Sequence, residues 1–367
     1  MFPRTVSLHN ICSHNLAGPG KYSTKHSRAG VHVLANQAKP VGKSHIAVAG
    51  GGAWGTALAQ AFAGSADRLT LWAREADVVN QINNGHENTT FLPGVALSPS
   101  ITATAAMRDV ASADLILLVC PAQHLRAVVR GLRAEVSTGA RALICAKGIE
   151  RPTGKLMTEV AREEAGDLRF GMLSGPSFAS EVARGLPCAV TVAFDDAATA
   201  DEIARTLSSP TFRPYASTDV TGVAIGGAVK NVLAIACGVV EGRGFGESAR
   251  AALTTRGFAE MTRFGLALGA RLETMGGLSG LGDLMLTASS RQSRNFSLGV
   301  RLAQGGHADD GGPLAEGAAT AEALVTRARA ANVEMPIAQA VADIVAGRVA
   351  VDAAIGALLS RPLKSEH

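Results

Sequence analysis

The chain has 367 residues, 47% of them hydrophobic but only 4% aromatic, with a formal net charge of +4. That length allows two domains packed by Ala, Val, Leu and Gly, and a small charge without basic runs argues against nucleic-acid binding. Five cysteines, at 12, 120, 145, 188 and 237, form no C-x-x-C pair and suit neither a metal site nor a disulfide framework, so no metal and a reducing, cytoplasmic setting are expected.

Residues 1–44 carry Arg4, Lys21, Lys25, Arg28, Lys39 and Lys43 and no acidic residue. The composition resembles a transit peptide, but no amphipathic pattern accompanies it. A disordered basic extension, or a start placed too far upstream, is the expectation. From His45 onward strand and helix signals alternate: "HIAVAG", "RLTLWA", "ADLILLVC", "ARALICAKG", "FGMLSGPS" and "CAVTVAF" read as six strands separated by helical stretches. This order predicts an α/β, Rossmann-type, mostly parallel sheet with helices on both faces over 45–220. After about Thr221 strand signals vanish, and an all-α C-terminal domain is expected over 221–360. No apolar stretch is read as approaching the ~18 residues that span a bilayer, so membrane insertion is not expected.

The first strand runs directly into "GGGAWGTALA", with Gly50, Gly52 and Gly55 at G-x-G-x-x-G spacing ahead of a helical stretch. In a dinucleotide fold Gly50 makes the turn, Gly52 admits the pyrophosphate, and Gly55 lets the helix close on the strand. Phosphates then meet the N–H groups at the helix start, here Ala53 and Trp54. The motif alone is weak in a chain with 41 glycines, but strand, motif and helix stand in the required order. After the second strand comes "LWARE". Arg74 leans the cofactor toward NADP(H), since arginine accommodates a 2′-phosphate, while NAD(H) stays open because Glu75 follows.

Reducing a carbonyl with a hydride requires a proton donor for the developing alkoxide. Histidine is scarce where it is needed: none of the nine falls between His124 and His307. Lysine is the substitute, since burial brings its pKa toward neutrality. Lys230, in the otherwise apolar "GGAVKNVLAIACG", is the candidate; a lysine snorkelling to the surface is the competing reading.

The motifs "GGGAWGTALA", "AKGIE", "LSGPSFASEVARGLP", "GGAVKNVLAIACG", "TRGFAEM", "GLSGLGDLMLT" and "QSRNFSLG" occur in an order that resembles the soluble, bacterial-type NAD(P)-dependent glycerol-3-phosphate dehydrogenases over roughly 46–345. The resemblance implies reduction of dihydroxyacetone phosphate to sn-glycerol 3-phosphate for phospholipid synthesis by a cytoplasmic homodimer. It implies that Lys230 is the general acid, that Lys147 adds positive charge near substrate and nicotinamide, and that Asp283 pairs with a lysine. Asn231 and Thr287 would fix the substrate's carbonyl and hydroxyl groups, and Gly175 and Ser177 would offer it donors. Ala179 would touch the cofactor. Ser293, Arg294 and Asn295 would grip the substrate phosphate, with Arg294 reaching the cofactor as well. Glu316 and Leu314 would contact the cofactor from the second domain.

Each of these residues has a plainer reading: Asp283 as a helix cap, Arg294 as a surface cation, Lys147 as a strand end. Ala53 stands where the family often has serine, and "GGPLAEGAATAEAL" matches only loosely. Two rivals remain. β-Hydroxyacid dehydrogenases of the 3-hydroxyisobutyrate or 6-phosphogluconate type usually carry asparagine four residues after their lysine. Here Ala234 holds that place and Asn231 follows Lys230 directly. A non-catalytic NAD(P)-sensing protein would have no need of Lys147, Lys230, Asp283 and a phosphate grip together.

Overall fold

The computed structural model describes residues 44–136 and 139–362, so the basic extension expected at 1–44 lies, apart from Ser44, outside the described residues. An eight-stranded sheet runs in the order β3-β2-β1-β4-β5-β6-β7-β8. The strands are β1 (His45–Ala49), β2 (Arg68–Trp72), β3 (Ile101–Thr104), β4 (Leu115–Leu118), β5 (Arg141–Ile144), β6 (Arg169–Ser174), β7 (Cys188–Ala193) and β8 (Phe212–Ser217). Every residue of β1 and β4 is buried, as expected of strands covered on both faces. Alternate residues of β1 serve two cores. Ile46 and Val48 pack with Leu58 and Phe62 of helix Ala53–Phe62, and Ala47 and Ala49 pack with Leu125 and Val129 of helix Leu125–Arg133.

β1 pairs in parallel with both β2 and β4. Chain order therefore reverses between β1 and β4, and the carboxyl ends of these strands open a crevice, where ligands bind in such sheets. Two strands go beyond the six read from the sequence. β3 and β8 lie at the two sheet edges, and each leaves part of its length exposed, so neither forms a continuous apolar run. The sheet is mostly but not wholly parallel: β7 runs antiparallel to β6 and parallel to β8.

Beyond Ser217 all regular structure among the described residues is helical. Helix Val220–Gly242 dominates. Asp219 caps it, accepting from Gly222 N at 2.8 Å. At 23 residues and mean hydropathy 1.9 it is long and apolar enough to cross a membrane, which corrects the reading that no stretch approaches that length. Its apolar window is instead wholly buried. The helix ties two cores together, with Val220, Val223 and Ala224 under the sheet and Ile225, Val229 and Leu233 among Met261, Phe264 and Phe296. Helix Arg294–Ala303 crosses it backbone to backbone. A side chain at Gly238 would run into the Phe296 carbonyl, and one at Gly299 into that of Ile235. This close crossing brings Asn295 onto Asn231, beside Lys230.

Candidate active site

The glycine loop after β1 separates three tasks among its glycines. Gly50 adopts φ +145°, and a Cβ there would meet the Val119 carbonyl, so only glycine turns the chain at this point. A Cβ at Gly55 would strike the Gly50 carbonyl, which lets helix Ala53–Phe62 close on the loop. Around Gly52 nothing lies within 4 Å of a built Cβ, leaving the backbone open to approach. No side chain caps this helix, so the leading N–H groups, at Ala53 and Trp54, are available to an anion. Asn88, fully buried, steadies the loop by donating to Gly51 O and Thr56 Oγ1, each at 2.8 Å.

The carboxyl ends of β5 and β6 lead to a second cluster. Lys147 follows β5 and Ser174 ends β6, while Lys230 and Asp283 come from the helical part of the chain. Asp283 accepts from Lys147 Nζ through Oδ2 and from Lys230 Nζ through Oδ1, both at 2.7 Å. Thr287 Oγ1 accepts from Lys230 at 2.9 Å and donates to the Asp283 carbonyl at 2.6 Å. Lys230 is 8% and Asp283 1% exposed, which excludes a lysine snorkelling into solvent. Burial pushes the Lys230 ammonium down to about 8; the Lys147 charge works the same way, and the Asp283 carboxylate resists. For Asp283 burial acts upward, but the two ammonium groups outweigh it and hold the carboxyl below its usual range. Two cations sharing one carboxylate leave a net positive site in a dry setting.

Asn231 and Asn295 join this cluster: Asn295 Nδ2 donates to Asn231 Oδ1 at 3.0 Å and Asn295 Oδ1 accepts from Gly317 N at 2.9 Å. Ser293 is the N-cap of helix Arg294–Ala303, its Oγ accepting from Phe296 N. Arg294 is exposed in the first turn and, among the described residues, makes neither a hydrogen bond nor an ion pair. Glu316 reaches across to the loop after β4, where Oε1 accepts from Ala122 N at 3.0 Å. Burial raises its pKa, against the pull of that N–H and the charges of Arg294, Lys147 and Lys230.

Other expected residues make no hydrogen bond to either lysine among the described residues. Gly175 follows β6 and packs on β7, where a Cβ would lie 2.7 Å from Val190 Cα. Ser177 Oγ donates to the Gly175 carbonyl at 3.1 Å, and Ala179 opens the short helix Ala179–Ala183. Arg74, at the tip of β2, is exposed and paired with Glu75 at 2.8 Å, so the two residues expected to compete for the ribose engage each other. Leu314 is 52% exposed and lines a cavity with Arg151 and Arg301 that includes none of Lys147, Lys230 and Asp283. Sequence reasoning missed Asn88, Ser174 and the Ala122 N–H. The first two are small polar residues whose only signal is burial, which a single sequence does not display. The third is a backbone group.

A doubly wound sheet with an open glycine cradle, joined to a helical part that contributes a buried lysine, defines an NAD(P)-dependent oxidoreductase. The sequence profile for the N-terminus of NAD-dependent glycerol-3-phosphate dehydrogenase matches residues 45–200, and that for its C-terminus matches 219–356. The chain belongs to the NAD-dependent glycerol-3-phosphate dehydrogenase family. It is 54% identical over 325 residues to a glycerol-3-phosphate dehydrogenase (NAD(P)+) of Parvibaculum lavamentivorans, covering 88% of this chain and 98% of the relative. Identity to the Caulobacter vibrioides protein of the same name is also 54%, with the same coverage. The crystal structure of glycerol-3-phosphate dehydrogenase from Coxiella burnetii superposes with a TM-score of 0.83 at 33% identity, over 87% of this chain and 99% of that one.

Proposed function

We infer that this chain is a glycerol-3-phosphate dehydrogenase that interconverts dihydroxyacetone phosphate and sn-glycerol 3-phosphate with NAD(P)H. Residues 45–220 form the nucleotide domain and 221–360 the substrate domain. The observation that carries the reading is the buried Lys230–Asp283–Lys147 cluster, built at the carboxyl ends of the sheet that bears the glycine cradle. The open backbone at Gly52 and the uncapped helix behind it suit a pyrophosphate. Gly50, Gly52, Ala53, Trp54 and Gly55 would hold the dinucleotide, with Ala179, Arg294 and Glu316 around it. When bound, the nicotinamide supplies or accepts the hydride.

The chain's own residues do the rest. Lys230 donates a proton to the substrate's C2 oxygen as negative charge develops there, and takes it back in the reverse direction. Lys147 adds a second positive charge beside that oxygen. Asp283 keeps both ammonium groups in place and offsets their repulsion. Asn231 and Thr287 orient the carbonyl and hydroxyl groups, with Gly175 and Ser177 as further donors. Ser293, Arg294 and Asn295 take the phosphate at a helix start, where the dipole and a free guanidinium both favour an anion. Arg294→Ala is expected to raise KM for dihydroxyacetone phosphate about tenfold or more, the loss typical of a charged hydrogen bond, with a smaller effect on kcat; an unchanged KM removes the phosphate grip.

Both NAD(H) and NADP(H) fit the cradle, and Arg74 favours the latter once Glu75 releases it. The reaction supplies glycerol 3-phosphate for phospholipid synthesis, from a homodimer in the cytoplasm. Oxidation of NADPH and NADH with dihydroxyacetone phosphate, with methylmalonate semialdehyde (the aldehyde that is reduced to 3-hydroxyisobutyrate) as control, tests the assignment. Turnover with the phosphorylated ketone alone supports it. Binding of NADPH without turnover makes the protein a nucleotide sensor instead.

A further inference from the structure

Helix Val220–Gly242 holds adjacent glycines at 226 and 227, and their neighbours differ in kind. A Cβ at Gly226 would lie 2.5 Å from the Ser279 carbonyl oxygen and 3.1 Å from Gly280 Cα. Those atoms belong to the π-helical turn Leu278–Gly282, which delivers Asp283. Gly226 thus accommodates backbone. The three atoms nearest to a Cβ at Gly227 all belong to side chains: Ser174 Oγ at 3.0 Å, Lys147 Cγ at 3.3 Å and Lys147 Cδ at 3.4 Å. Gly227 precedes Lys230 by three residues, so the two share one helix face. The Lys147 stem therefore lies across the central helix one turn before Lys230, and both ammonium groups reach opposite oxygens of Asp283.

We propose that Gly227 is a positioning residue whose missing side chain is the slot for the Lys147 stem. The inference rests on the assigned role of Lys147. The backbone just after Lys147 is tightly placed as well. Gly148 follows Lys147, and a Cβ there would stand 2.8 Å from Ala122 Cβ and 3.0 Å from Thr320 Oγ1. The Lys147 stem thus packs on Gly227 of the central helix, while the residue after it is fixed by its fit between Ala122 and helix Glu316–Ala330. A methyl group at 227 presses on Ser174 Oγ at 3.0 Å and on the Lys147 stem at 3.3 and 3.4 Å, side chains that give by a few tenths of an ångström. Alanine also favours a helix interior over glycine, so the change is not expected to weaken the fold.

The test is kcat, KM, melting temperature and the pH dependence of dihydroxyacetone phosphate reduction for Gly227→Ala beside the wild type. The expected result is a kcat about tenfold lower or more, as for a small misplacement of a reacting group. The melting temperature should be unchanged or higher, and the alkaline limb of the profile should move up in pH. The limb moves because withdrawing the Lys147 charge relieves Lys230 of a like charge. Gly226→Ala is expected to lower the melting temperature, since it collides with backbone. If Gly227→Ala does not fold, Gly148→Ala, which acts on Lys147 from outside the helix, should give the same kcat loss and the same limb shift. A Gly227→Ala enzyme with wild-type kcat and pH profile overturns the slot while leaving the reaction assigned. A wild type that does not reduce dihydroxyacetone phosphate overturns the reaction itself.

Discussion

At the scale of residues, the decisive feature is one ammonium group whose proton is held loosely. An exposed lysine is too weak an acid to titrate near neutrality, but burial brings Lys230 down to about 8. The sign of the pH dependence follows. With Lys230 as the proposed proton donor, reduction should run at a level rate below about 8 and fall above it, while oxidation of glycerol 3-phosphate, drawing on the free amine, should rise through the same range. Steady-state rates in both directions across pH check this, and two limbs with the same sign would contradict it. Lys230 was legible in the sequence because a charge among Val, Ala and Leu is costly unless it is paired or used. Lys147 and Asp283 were legible only through resemblance, because their partnership joins positions 136 residues apart. Ser174 was not legible at all: one serine in "LSGPS" looks like any other.

At the scale of elements, strands buried on both faces announce themselves as apolar runs, and helices by composition and glycine ends. The edge strands β3 and β8 failed to do so because half their surface faces water. The central helix raised the opposite difficulty, since burial on all sides makes it as apolar as a membrane span. Element packing also creates a titrating group with no part in the chemistry. Glu260, 2% exposed on helix Gly246–Ala267, accepts from Ile337 N and Ala338 N and so caps helix Pro336–Val345 from outside. Burial raises its carboxyl to about 7 despite those two N–H groups. A folded pKa above the unfolded one means that the protonated form stabilises the fold, and that this contribution fades as pH rises from about 4.5 through 7. Glu260→Gln, neutral at every pH, is expected to lose less melting temperature over that range than the wild type. Equal losses would show that the group does not titrate there.

At the scale of the molecule, the sheet and the helical part are linked by polar contacts as well as by the shared core under the sheet. The Glu316 carboxylate on the Ala122 N–H and the Arg151 guanidinium on the Ala319 carbonyl are two such contacts. Glu316 arrives at the end of β4, beside the crevice where the strand order reverses, so its loss should loosen the cofactor. Glu316→Ala is expected to weaken NADPH binding about tenfold, as for a hydrogen bond to a charged group, read by fluorescence titration; an unchanged Kd would make the contact purely structural. Charge balance suits the proposed anionic substrate: the Asp283 carboxylate is shared by two ammonium groups, and the Arg294 guanidinium, unpaired among the described residues, stands at a helix start. The proposed reaction depends on the Lys230 proton, a role tested most directly by turnover of dihydroxyacetone phosphate and NADPH with Lys230→Met. The predicted result is a protein that binds NADPH as the wild type does and has lost at least about a hundredfold in kcat, the contribution of a general acid. A variant that keeps the wild-type kcat would contradict it.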